Sequence, residues 1–341
     1  MNGLFASWES ACASSKALRF VDINLRAVGQ VMFQNNPLSG AFFLAAIAWG
    51  SFAAGAPGIF FCGLFAVVVS SLTAMWLHVP EENLNAGLSG YNGILVGLAL
   101  ATFLAPGPLL WVYVALGAIV SVIVTLGIGN AVKGWGLTAL TFPFVITTWL
   151  LLLATYGFAG LKGAALPVGN VVIAFAPYGA DPLDVLGLVN GVLLSISQVF
   201  LKASGVSALL FVAGLAVNSL AAAAFALGGA ILAVLIARMF GAESDLIMGG
   251  LLGFSPVLTA ILLGTVAYQP SVRVAIYAAV GVAFTVVAQA ALNVALTPFA
   301  IPALTAPFVL VSWLFLLPRQ CLESATLPDG SAVGKERLDR V

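Results

Sequence analysis

Charge is what this chain has least of. Only 7% of its 341 residues are Asp, Glu, Lys or Arg, and acids and bases cancel to a formal net charge of zero. A soluble domain carries about 25% charged residues, so a water-exposed globular fold is excluded. With no basic patch, a nucleic-acid partner is not expected either. There is one histidine, His78, and the three cysteines, Cys12, Cys62 and Cys321, are scattered without metal-ligand or redox spacing. No metal or cofactor is therefore expected. No glycine-rich loop is followed by the lysine a phosphate site needs. The neighbouring carboxylates, Glu81 with Glu82 and Asp181 with Asp184, sit in polar loops and read as solvated. An enzyme is not expected.

What the chain does have is apolar length: 62% of residues are hydrophobic. The apolar runs are unbroken rather than alternating, which speaks against an outer-membrane barrel and for an all-α integral membrane protein. Residues 1–26 carry Trp8, Arg19, Asp22 and Arg26 and read as an amphipathic cytoplasmic segment. Apolar sequence fills residues 27–160, a stretch richer in Pro, Gly and polar residues covers 161–188, and apolar sequence resumes over 189–318. The polar tail, 319–341, carries Arg319, Lys335, Arg337 and Arg340, which puts both termini on the cytoplasmic side of a cell (inner) membrane.

The two apolar blocks repeat each other. Gly87-Leu88-Ser89-Gly90-Tyr91 returns as Gly250-Leu251-Leu252-Gly253-Phe254, an offset of 163 (250 − 87). Gln30-Val31-Met32-Phe33 corresponds to Gln198-Val199-Phe200-Leu201, and Leu140-Thr141-Phe142-Pro143-Phe144 to Leu304-Thr305-Ala306-Pro307-Phe308. Each glycine motif opens an apolar run too short to cross a bilayer, which needs about 20 residues. Short or interrupted segments in corresponding halves point to a substrate path. Two blocks of five spans, an odd number, would be inverted relative to one another, giving about ten transmembrane helices plus two re-entrant pore helices.

Inside these runs the recurring polar groups are neutral. Gln30 and Gln198 offer amides, and Thr141 and Thr305 offer hydroxyls. Leu88, Leu251, Phe33 and Phe200 offer apolar faces that can squeeze a flat solute. Each has a plainer reading: a buried Gln or Thr often bonds a neighbouring helix, and Leu-Thr-x-Pro-Phe can be a proline kink mended by its threonine. Recurrence beside an interrupted helix favours the transport reading. An ion path usually carries intramembrane charge, so this inventory suits a small, neutral, planar solute with several N–H donors.

At these motifs the chain resembles the bacterial urea transporter family. The resemblance rests on Gly87 to Gly93 with Leu95-Val96-Gly97, on Gln30 to Gly40, and on the two Leu-Thr-x-Pro-Phe motifs, and it spans about residues 20–318. It implies inverted five-span repeats, a homotrimer in membrane lipid, and a pore in each protomer that passes urea down its gradient. By position it implies that Gln30 and Gln198 belong to polar ladders at the two ends. Phe33 and Leu88 would form one slot, Leu251 would stand in the other, and Thr141 and Thr305 would flank the midpoint. The second half departs from the pattern, with Leu201 matching Phe33 and the aromatic Phe200 preceding it. Paired intramembrane histidines and paired Asn-Pro-Ala motifs are both missing, which excludes an ammonium channel-like and an aquaporin-like protein. An ion-coupled carrier for a small amide is the alternative.

Overall fold

The computed structural model describes residues 2–170 and 184–318. The polar tail from residue 319, Cys321 and Asp181 lie outside the described residues, as does part of the 161–188 connection. Among the described residues the fold is all-helical, with one isolated β-bridge between Leu104 and Gly163.

In chain order the first helices are α1 (Asn2–Ser14), α2 (Lys16–Gln30), α3 (Pro37–Ala53) and α4 (Pro57–Trp76). They are followed by α5 (Glu81–Asn85), α6 (Tyr91–Phe103), α7 (Pro108–Lys133) and α8 (Phe142–Ala154). The rest are α9 (Val185–Ser197), α10 (Gly205–Asn218), α11 (Leu220–Met239), α12 (Ser244–Met248), α13 (Phe254–Ile261), α14 (Val272–Leu296) and α15 (Ala306–Leu316). From α2 to α8 the helices have 15, 17, 20, 5, 13, 26 and 13 residues. From α9 to α15 they have 13, 14, 20, 5, 8, 25 and 11. The five-residue helix falls at the same place in both series.

Local chemistry starts these helices. Asn36 caps α3 by accepting the amides of Leu38 and Ser39, with Pro37 in the first turn, where a missing N–H costs nothing. Ser204, Ser219 and Ser271 cap α10, α11 and α14 in the same way. The stretches that polarity marks as loops contain the two short helices instead. Pro80 leads into α5 and Glu243 into α12, and acidic residues in each first turn suit the positive end of a helix.

The apolar run over 28–54 is not one helix. α2 stops at Gln30, the chain turns through Phe33 with φ of 62°, and α3 restarts at Pro37. The second half behaves alike: Leu201 has φ of 54°, and the flanking segments Val185–Phe200 and Gly205–Asn218 are bent by 71°. α2 also runs unbroken across residue 26, and its Asp22 is bonded by the Trp8 indole and by the Arg26 guanidinium, each at 2.7 Å.

By length and composition four helices among the described residues can cross a membrane: Pro57–Trp76, Pro108–Lys133, Leu220–Met239 and Val272–Phe299, with the bent pair as a fifth if counted as one span. The shorter apolar helices, α6 and α8 among them, pack between these. α4 and α6 come together through small residues. A Cβ on Gly97 would stand 2.6 Å from the Cys62 carbonyl oxygen, and one on Gly93 would overlap the Ser70 hydroxyl. Apolar lipid provides no hydrophobic drive between helices, so close backbone approach of this kind supplies the packing attraction.

Candidate functional site

The candidate residues sit at helix ends, where backbone groups are released from helical bonding. Gln30 closes α2, is largely buried, and donates its amide N–H to the carbonyl of Ala86 at 2.9 Å. Gln198 follows α9 and donates to the carbonyl of Gly249 at 3.1 Å. Ala86 and Gly249 are the residues that end α5 and α12. Each bond consumes an amide NH2 hydrogen and leaves the amide oxygen available as an acceptor. Leu88 and Leu251 lie two residues beyond these carbonyls. Leu88 borders a polar hollow of about 380 Å³ whose wall includes Arg26, Asn35, Glu82 and Ala86, and Leu251 is 38% exposed.

Thr141 and Thr305 meet. Their hydroxyl oxygens are 2.7 Å apart and both residues are almost fully buried. Each cap position is preceded by a leucine in the left-handed region, Leu140 at 48° and Leu304 at 51°. Prolines Pro143 and Pro307 lie in the first turns of α8 and α15, so they free no helical carbonyl and the threonines mend no kink. A hydroxyl has one proton and two lone pairs. The bonded pair therefore keeps one O–H and three lone pairs not used in their mutual bond.

Other contacts recur at matched positions, the tryptophan pair between the halves and the tyrosine pair within each. The Trp149 indole donates to the Pro302 carbonyl and the Trp313 indole to the Thr138 carbonyl, both at 2.9 Å. Tyr113 bonds the carbonyl of Leu151, and Tyr277 that of Phe315, both at 2.8 Å. The threonine pair is a contact between a residue and its own counterpart, 164 positions apart.

The aromatic assignment differs between the ends. Phe33 is partly exposed and its ring meets that of Phe308 edge-on, 6.1 Å between centroids. Phe200 is fully buried, stacked on Phe211 at 4.7 Å and edge-on to Phe43. It is committed to packing between helices. The residue that shares the left-handed backbone of Phe33 is the partly buried Leu201, so the turn sends the side chain one position later than the sequence aromatic suggests.

Trp149 and Trp313 carry bonds that composition and hydropathy do not single out, since a tryptophan in a membrane helix reads as an anchor or a packing residue. Their spacing of 164 (313 − 149) is the signal that pairs them. Replacing both with phenylalanine is expected to remove two bonds worth about 1 kcal/mol each. Thermal melting of purified protein in detergent would show it as a lowered midpoint; an unchanged midpoint would remove these bonds from the account.

A family model described as urea transporter matches residues 21–320. The chain is 27% identical over 318 residues to Urea transporter 1 of Ovis aries, a match covering 92% of this chain and 80% of that protein. Urea transporter 1 of Capra hircus matches to the same extent. That of Rattus norvegicus is 27% identical over 322 residues, with the same coverage.

Proposed function

This chain belongs to the urea transporter family, and on that premise we propose that urea crosses it passively, down its own gradient, along a path marked by Gln30, the threonine pair and Gln198. It is a transporter and not an enzyme. The observation that carries the reading is the bond between Thr141 and Thr305, with matched glutamine-to-carbonyl bonds elsewhere.

Urea leaving water loses hydrogen bonds, and an unreplaced loss is costly in an apolar setting. The amide oxygen of Gln30 accepts from urea N–H groups at one end, that of Gln198 at the other, and the threonine hydroxyls at the middle. Phe33 with Leu88, and Leu201 with Leu251, form the apolar walls that strip water and admit a flat solute. Neither glutamine nor threonine carries charge, so a bare ion is not repaid for its desolvation. Several modest sites let the solute both enter and leave.

The architecture that goes with this reading is two inverted five-span repeats, residues 27–160 and 189–318, with α6 and α13 as the re-entrant pore helices. The matching helix series and the exchanged tryptophan bonds support it. The reading extends to a homotrimer in the inner membrane with both termini cytoplasmic. Exposed Phe52, Phe61 and Trp111 suit lipid or a neighbouring copy there.

Stopped-flow efflux of urea from liposomes tests the mode of transport. Fast efflux, equal with and without a proton or sodium gradient, is the expected result. Efflux that requires either gradient would establish an ion-coupled carrier instead.

A further inference from the structure

The two threonines are not held alike. Asn92, in the first turn of α6 and 1% exposed, grips the turn that carries Thr141 from both sides. Its Nδ2 donates to the Leu140 carbonyl at 3.3 Å, and its Oδ1 accepts the Phe144 amide at 3.2 Å. Tyr91 adds its hydroxyl to the same Leu140 carbonyl at 2.7 Å. Asn92 is itself braced through its bond to Thr125 on α7, 3.2 Å away. Leu140 is a non-glycine residue in the left-handed region, a conformation that persists only where surrounding contacts impose it. Here three side-chain bonds add to the packing that holds it.

The second half is built differently. Phe254 stands where Tyr91 does and has no hydroxyl. Ser255 stands where Asn92 does, and its hydroxyl donates to Gln289 at 2.7 Å instead of reaching the turn of Leu304. The Leu304 turn thus holds the same left-handed backbone without a bond from either of these counterparts.

We propose that Tyr91 and Asn92 are positioning residues that fix Thr141 as the rigid side of the midpoint, leaving Thr305 as the adjustable side, and that discrimination against amides bulkier than urea is set by this clamp. The proposal rests on the reading that the threonine pair lines the path. A fixed hydroxyl cannot retreat from a larger solute, whereas one on an unclamped turn gives way. Loosening the first side should therefore admit N-methylurea more than it changes urea.

Tyr91→Phe and Asn92→Ser, singly and together, convert the clamp to the residues of the second half. Urea and N-methylurea fluxes are measured on the same liposomes, with Thr125→Val as a comparison that loosens Asn92's brace without removing its grip on the turn. The double variant is expected to raise the ratio of N-methylurea to urea flux about fivefold, a fraction of what loss of the clamp's three buried hydrogen bonds could supply. Thr125→Val is expected to lower the melting midpoint and leave the ratio within about twofold of wild type, since the grip on the turn survives. A ratio unchanged in folded Tyr91→Phe and Asn92→Ser, with both fluxes falling together, would reduce the clamp to a structural brace and overturn the proposal. Should Asn92→Ser fail to fold, Tyr91→Phe, which removes one oxygen and keeps the ring, decides alone. Urea flux indifferent to loss of both threonine hydroxyls would overturn the path reading and the clamp's part in it. A flux sensitive to the threonines with an unchanged ratio overturns the clamp only.

Discussion

Gly87→Ala is expected to lower the melting midpoint far more than an ordinary glycine-to-alanine change, and the reason is local. Gly87 adopts φ of 76°, in the left-handed region, which costs an alanine roughly 1–2 kcal/mol. A Cβ there would also overlap the Ala27 amide nitrogen and stand 2.6 Å from the Arg26 carbonyl carbon. Those are backbone atoms of α2, so relief requires moving the helix that ends in Gln30. Overpacking of this kind costs about 1–3 kcal/mol more, against a total stability of about 5–15 kcal/mol. Gly136 separates the two causes, since it has φ of 68° and open space for 4 Å around the place its Cβ would take. Gly136→Ala should therefore show only the smaller, conformational loss. Melting curves of both purified variants check this, and equal losses would show that close approach to α2 contributes nothing.

The other large effect is on transport. Thr141→Val with Thr305→Val should slow urea flux about tenfold or more, with a much smaller loss of folded protein. Valine keeps the branched shape and removes the hydroxyl. Two lost bonds to a dehydrated solute, each about 0.5–1.5 kcal/mol, raise the barrier at the midpoint by enough for that factor. The hydroxyls bond each other at 2.7 Å, so removing one alone leaves a buried, unpaired partner. The single variants should therefore be less stable than the double variant, since replacing both partners by apolar groups can be nearly neutral. Efflux from liposomes and melting in detergent read the two effects separately. Unchanged flux in a well-folded double variant would take the threonines off the path.

The broad class is legible without coordinates. Scarcity of charge and unbroken apolar runs specify a membrane helix bundle, because a lipid solvent requires backbone bonds to close within the chain. The motifs around Gln30, Gly87 and Thr141 and their later copies are visible as strings. Asn36-Pro37 and Ser204-Gly205 carry helix-start chemistry that involves only a few neighbouring residues, yet by polarity alone the apolar run over 28–54 shows no break. Where a signal depends on more than polarity, reading is less secure. Glu81 to Asn83 resembles a loop by its composition, yet acidic residues after Pro80 begin a short helix.

Composition and residue order are thus enough to specify the solvent this protein lives in, its all-helical class and the identity of its neutral polar residues. Each of these follows from average polarity or from chemistry within one or two turns. What those residues touch comes from packing instead. Thr141 meets Thr305 across 164 positions, Phe200 packs on Phe211 while Leu201 takes the turn, and Asn92 grips one threonine's turn while Ser255 bonds elsewhere. All three depend on how helices cross. Hydrophobic patterning carries little of that information here. In helices surrounded by lipid and by one another nearly every face is apolar, so the pattern does not say which face meets which neighbour.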